Sequence, residues 1–281
     1  MKKYVLGLHG FSAHNNRVLH DTGVSLVSEG EVIAALNEER ISREKNDGKF
    51  PWCTLHELSE KYNLGPQNVA AIAFPDKRSI WQSYNILKYI IKTYRETGFF
   101  LWRYLLASAK RALDYKRVSP RFLKNVNTYF VEHHLCHASS AYYTCPWDDV
   151  AIITLDGMGD WCIGGSISVG EKGIIRNLIK TNGFYSPGFF YMYITSFLGY
   201  IPGRHEGKIM GLAAYGDANK CYDAVKNIIE YRKEKHNFFS LLIPEILKNA
   251  RYVNGNIESD FAPLKELFKG QKAEDIAAAA Q

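Results

Sequence analysis

The tetrapeptide Ser28-Glu29-Gly30-Glu31 lies between two β-rich runs, Gly23 to Val27 and Val32 to Asn37, and leaves them room only to fold back on each other. With a third such run, Tyr4 to Leu8, ahead of them, the chain is expected to open as an antiparallel meander. A helix is expected over Thr54 to Tyr62 and a strand over Val69 to Phe74. A long helical stretch from about Ser79 to Leu113 follows, in which Ile80, Tyr84, Leu87 and Ile91 recur at helical spacing. Strands are then expected at Val126 to Val131 and Val150 to Leu155, and a hairpin at Ile163 to Gly170 with Ile174 to Lys180. Helices are expected from near Gly188, over Glu206 to Ala214, over Asn219 to Arg232 and over Ala273 to Gln281, the last ending without a glycine stop. The stretch from Lys233 to Phe261 is mixed. Alternation of strands and helices places the chain in the α/β class.

Composition narrows the function. With 46% hydrophobic residues in 281, the chain can bury a sizeable core, so disorder is not expected. A formal net charge of +6 is mild, and most of the Lys and Arg are interleaved with Asp and Glu, which does not point to nucleic acid. The exception is Lys88 to Lys124, where ten Lys or Arg stand against Glu96 and Asp114; with its aromatics, we read 79–124 as a solvated helical insertion. Five cysteines with no C-x-x-C pair argue against a disulfide scaffold and fit a reducing cytoplasm. The most apolar run, Phe99 to Ala107, is broken by Arg103 and is far shorter than the roughly 20 residues that span a bilayer, so no membrane span is expected.

Four stretches carry residues suited to chemistry. In Glu132-His133-His134-Leu135-Cys136-His137-Ala138, which follows a strand and opens a helix, His133 and His137 stand at i and i+4. That spacing puts two neutral imidazoles on one helix face, as a divalent metal requires, although packing or capping histidines share the pattern. His134 and His137, at i and i+3, are a poorer pair. In Ala151 to Asp160 an apolar strand runs into Asp156-Gly157-Met158-Gly159, a turn whose carboxylate can bind a metal and whose amides can approach an oxyanion. Glu206 and Lys208 open a short helix after the Pro202-Gly203 turn. His20-Asp21 and the charged run Asn37 to Phe50 describe either a solvated rim or the wall of a polar pocket.

Taken in order, Asn37-Glu38-Glu39-Arg40 with Phe50-Pro51, the Glu132 to Ala138 block, Leu155-Asp156-Gly157-Met158-Gly159, and Lys208 to Gly216 resemble the NodU/CmcH family of O-carbamoyltransferases. The resemblance runs from Leu6 to Gln281 and implies an actin/Hsp70-like, ribonuclease H-like fold, related to the threonylcarbamoyl-transfer proteins that modify tRNA. It implies transfer of a carbamoyl group to an acceptor hydroxyl from carbamoyl-adenylate, which a separate YrdC-like domain makes from carbamoyl phosphate and ATP. By matching positions, His133, His137 and Asp156 would hold a metal, typically iron as Fe(II). Asp156, Gly157, Gly159, Glu206 and Lys208 would lie by the adenylate. His20, Asp21, Glu39, Arg40 and Lys45 would line the acceptor side, with His20 drawing the hydroxyl proton. Asn46 departs from the family, where a histidine often follows the lysine. The same resemblance places the second half of the domain, with a further carboxylate ligand, and the YrdC-like domain beyond Gln281, so this stretch is not expected to complete the reaction alone. A non-catalytic metal- or nucleotide-binding module, or a tRNA-modifying relative, are the alternative readings.

Overall fold

The computed structural model describes residues 3–10, 21–75, 125–160, 163–240, 246, 251–253, 256–259 and 261–281. The expected helical stretch over 79–124, and His20, lie outside them. The described residues divide into two compact units with the boundary between His133 and His134.

In the first unit, strands β1 (Tyr4–His9), β2 (Gly23–Ser28) and β3 (Glu31–Asn37) form the expected meander. Glu29 and Gly30 both take positive φ, 53° and 84°, the tight-turn geometry whose twist matches the flanking strands. Strands β4 (Val69–Pro75) and β5 (Asn127–Val131) add in parallel beside β1, giving one five-stranded sheet in the order β3-β2-β1-β4-β5. Alternation along the strands supplies the core: Leu6 pairs with Leu26 on one side and Ile72 on the other, and all three are buried. Each such side chain contributes about 1.5–3 kcal/mol on burial.

A short helix α1 (Glu38–Ser42) leaves β3, and α2 (Trp52–Tyr62) sends Leu55 and Leu58 into the same core. The start of α2 is fixed by a distant carboxylate. Glu38, only 3% exposed, accepts from the Cys53 and Thr54 amides, both at 2.9 Å, and so satisfies two of the N–H groups that a helix leaves unpaired at its start. Asn63, with φ of 48°, ends α2 in the left-handed conformation, its N–H donating to the Ser59 carbonyl.

Helix α3 (His133–Tyr142) belongs to the second unit from His134 on, with the antiparallel sheet β6 (Val150–Leu155), β7 (Ile163–Glu171) and β8 (Ile174–Asn182). His134, Ala138 and Tyr142, four residues apart, form the buried stripe of α3. Ala138 and Tyr142 pack with Ile152. A Cβ on Gly170 would stand 2.5 Å from the Tyr142 ring, so β7 admits that ring only at a glycine.

A helical core follows, built by α4 (Pro187–Phe197), α5 (Glu206–Ala213), α6 (Tyr222–Lys226), α7 (Ala262–Leu267) and α8 (Ala273–Ala280) around Phe190, Ile194, Ile209, Leu264 and Ile276. Gly216, just past α5, lies against α8 so closely that a Cβ would come within 1.9 Å of the Glu274 carbonyl oxygen. Buried Asp275 joins the same two segments, accepting from the Asp217 amide at 2.8 Å and the Lys220 ammonium at 3.1 Å.

One expected helix is shorter than its pattern. Asn219 to Arg232 gives a single 3₁₀ turn, then α6, then strand β9 (Glu230–Arg232), which pairs with β10 (Asn237–Phe239). Ile228, Ile229 and Tyr231 are residues that fit a pleated surface, and Tyr231 meets Phe238 across the hairpin with ring centroids 5.3 Å apart. That pairing competes successfully with helix continuation. A further small hairpin joins β11 (Arg251–Val253) to β12 (Asn256–Glu258).

Candidate metal centre

Helix α3 carries two neighbouring stripes. While His134, Ala138 and Tyr142 face the sheet, His133 and His137, one position round, lie together on the adjoining face. Strand β6 ends at Leu155, and Asp156 follows, its amide donating to the Gly164 carbonyl at 2.8 Å as a continuation of the β6–β7 ladder. One ligand-type atom from each of His133, His137 and Asp156 falls within 4.8 Å of the others. His137 Nε2 stands 3.6 Å from Asp156 Oδ2, beyond a good hydrogen bond. Both side chains are partly exposed, 51% and 38%, where such a contact contributes about 0–1 kcal/mol. Two imidazole nitrogens and a carboxylate oxygen this close suit a borderline divalent ion such as iron, zinc or manganese.

Four contacts hold the Asp156 turn. Its own Oδ1 accepts from the Gly157 amide at 2.6 Å. Ser186, the N-cap of α4, donates its hydroxyl to the Gly157 carbonyl at 2.6 Å and accepts from the Phe189 amide at 3.1 Å. Gly188 lies so near that a Cβ would come within 2.5 Å of the Asp156 carbonyl carbon. Finally, the Gly159 amide donates to the Ile163 carbonyl at 2.7 Å. The amides of Gly157 and Gly159, expected to face an oxyanion, are thus both engaged within the turn.

The other expected site residues are held locally. Glu206 accepts from the Gly203 amide, and burial first, then the Glu206 carboxylate, pushes the Tyr191 phenol above its ordinary pKa. Lys208 is exposed, its Nζ 3.0 Å from His205 Nε2. In the first unit Glu39 accepts from the Asn46 amide at 3.0 Å and lies 3.7 Å from Arg40, whose side chain is 74% exposed. Lys45 and Asp21 are exposed, Asp21 with a φ of 58°. The run after β3 is therefore partly a self-bonded loop: besides Glu38 and Glu39, buried Asp47 accepts from the Lys49 amide at 3.0 Å.

A family model described as the carbamoyltransferase N-terminus matches residues 14–281. The chain belongs to that family. Nodulation protein NolNO of Sinorhizobium fredii is 30% identical over 217 residues, covering 76% of this chain and 30% of its own length. An uncharacterized protein of Methanocaldococcus jannaschii, MJ1058, is 28% identical over 278 residues (77% and 44%), and one of Synechocystis, sll1178, is 26% identical over 224 residues (76% and 36%). The chain thus spans less than half the length of these relatives. YeaZ from Pseudomonas aeruginosa superposes with a TM-score of 0.31 at 14% identity, covering 63% of this chain and 64% of that one, an overlap too loose to bear on the fold. The carbamoyltransferase resemblance drawn from the four sequence blocks is borne out, as is the mixed α/β class. No helix among the described residues is long and apolar enough to cross a membrane.

Sequence reasoning missed the groups that place the centre. Ser186 stands before Pro187, a recognisable N-cap and first-turn pair, and was legible as such. That its hydroxyl also holds Gly157 depends on folding α4 back to the end of β6, which no local pattern records.

Proposed function

We propose that this region is the metal-binding front part of an O-carbamoyltransferase of the actin/Hsp70-like superfamily, in which His133, His137 and Asp156 hold a divalent ion, Fe(II) being the family's expectation. The observation that carries the reading is the convergence of those three side chains within 4.8 Å at an exposed site inside a carbamoyltransferase family match. His133, His137 and Asp156 would hold the cation, which would supply positive charge to the phosphate of carbamoyl-adenylate and to its carbonyl oxygen.

In the transfer, the acceptor hydroxyl oxygen bonds to the carbamoyl carbon, the bond from that carbon to the phosphate oxygen breaks, AMP leaves with the electron pair, and the hydroxyl proton passes to a base. The residues of this chain serve that step by position. The rigid turn from Asp156 to Gly159, clamped by Ser186 and Ile163, sets the carboxylate opposite the two imidazoles. Glu206 and Lys208 are the proposed adenylate contacts, and Asp21, Glu39, Arg40 and Lys45, with His20 as base, the proposed acceptor side. The acceptor is a small polar molecule bearing a hydroxyl. Carbamoyl phosphate and ATP are the proposed primary substrates.

The test uses the full-length protein with carbamoyl phosphate, ATP and a panel of hydroxylated acceptors. Carbamoyl-adenylate formation is expected to survive Asp156→Asn while transfer to the acceptor falls by at least about 100-fold. Transfer at the unsubstituted rate would contradict the reading.

A further inference from the structure

His134 stands between the two proposed metal-binding histidines, and its ring, 6.0 Å from that of His137 between centroids, is turned into the sheet. It is 1% exposed, and both ring nitrogens are bonded across the β6–β7 pair. Nε2 lies 2.9 Å from the Ile163 carbonyl oxygen, which only accepts, so Nε2 carries the proton. Nδ1 is then the acceptor in the neutral ring, and the Thr154 hydroxyl, 2.8 Å away, donates to it. The Thr154 oxygen in turn accepts from the Ser166 amide at 3.0 Å and from the Ser166 hydroxyl at 2.8 Å. One donor and two acceptor positions are thereby all used, and the chain of bonds has a single direction. Thr154 and Ser166 are 6% and 3% exposed, where leaving such groups unpaired is costly.

The Ile163 carbonyl also receives the Gly159 amide at 2.7 Å. One oxygen therefore ties the helix bearing His133 and His137 to the turn bearing Asp156. An apolar residue in place of His134 would bury equally well, but it would leave α3 able to roll and slide on the sheet. A roll of about 20° carries an imidazole about 6 Å from a helix axis through about 2 Å, whereas metal–ligand distances tolerate about 0.2 Å.

We infer that His134, through Thr154 and Ser166, is a positioning residue that sets the rotation and register of α3, so that His133 and His137 meet Asp156 at metal-binding distance. The inference rests on the metal reading above and adds to it the part of the chain that makes the site preorganised. It assigns His134 no contact with the metal, although its spacing from His137 is within a helix's reach.

The experiment titrates the metal-free 281-residue chain with Co(II), reading affinity and the visible d–d absorption, which reports ligand geometry and not stability. The unsubstituted chain should bind one Co(II). Thr154→Val, which keeps shape and removes the hydroxyl, should weaken binding about 10–100-fold and alter the spectrum, as loss of an outer partner does. Thr154→Ser should restore both to within about 3-fold. Ile152→Val, a core trimming on the same strand that touches none of these bonds, should leave both unchanged. If Thr154→Val does not fold, Ser166→Ala takes its place, removing one bond at the Thr154 oxygen, and should shift the spectrum in the same direction. Wild-type affinity and spectrum in a folded Thr154→Val chain, or in the substitute, would overturn the role, and so would an equal loss in Ile152→Val. An unsubstituted chain that binds no Co(II) would overturn the metal reading itself, a result distinct from either.

Discussion

In the run from Glu38 to Phe50 three carboxylates turn onto backbone amides, whereas at the meeting of α3 with the end of β6 a carboxylate and two imidazoles turn toward one another. Glu38, Glu39 and Asp47 each accept from at least one main-chain N–H. At the second place, His137 and Asp156 stand 3.6 Å apart on partly exposed side chains, a contact that adds little to stability. A carboxylate on an amide is explained by the fold it completes. Two imidazoles and a carboxylate that converge on one another suit a metal ligand set. Asp156 does both, with one oxygen on the Gly157 amide and the other toward His137.

The largest expected effect that can break this contrast is at Glu38. Glu38→Ala removes the acceptor of the Cys53 and Thr54 amides at the start of α2, the second of them buried, and should lower unfolding stability by about 3–4 kcal/mol, judged from two charge-assisted bonds. Metal affinity under native conditions should be unchanged. Urea unfolding followed by tryptophan fluorescence, beside a Co(II) titration, checks both, and a stable Glu38→Ala chain with impaired metal binding would reverse the contrast.

Asp275 extends the amide-bound class into the second unit. The Asp217 amide first, and then the Lys220 ammonium, hold its carboxyl below the ordinary value of 3.8. A carboxyl lowered in the fold contributes stability that is present above the unfolded value, and that is lost as pH falls through the lower folded value. The chain should therefore lose part of its stability below about pH 4, and Asp275→Asn should flatten that loss in unfolding midpoints measured from pH 6 to pH 3. An unchanged pH profile would remove Asp275 from the class.

The smallest effect is at Cys53. Its thiol is raised above the ordinary 9.0, chiefly by its hydrogen bond with Glu38. Glu38→Gln should lower it, so that the exposed thiol reacts faster with iodoacetamide at fixed pH near 8; equal rates in the two chains would show that the carboxylate is not the cause.

Much of this was legible in the sequence because it is local. The strand limits, the Glu29-Gly30 turn and the His133–His137 spacing depend on near neighbours, and Val150–Leu155 appears with the boundaries its composition suggests. What was not legible is long-range. Glu38 reaches 16 residues along the chain to Thr54, Thr154 reaches 20 back to His134, and Ser186 reaches 29 back to Gly157. The Asn219 to Arg232 helix failed for the same reason, since its last residues are claimed by a strand that begins at Asn237. In the charged run after β3, composition permitted a rim or a pocket wall; the amide bonds explain Glu38 and Asp47 without a ligand and leave Arg40 and Lys45 on the surface.

The central claim is that His133, His137 and Asp156 form a metal site, and its most direct test is elemental analysis of the purified chain beside His137→Ala, with folding checked by circular dichroism. The account predicts close to one equivalent of a divalent transition metal in the unsubstituted chain and its loss in the folded variant. The same metal content in both chains would contradict it.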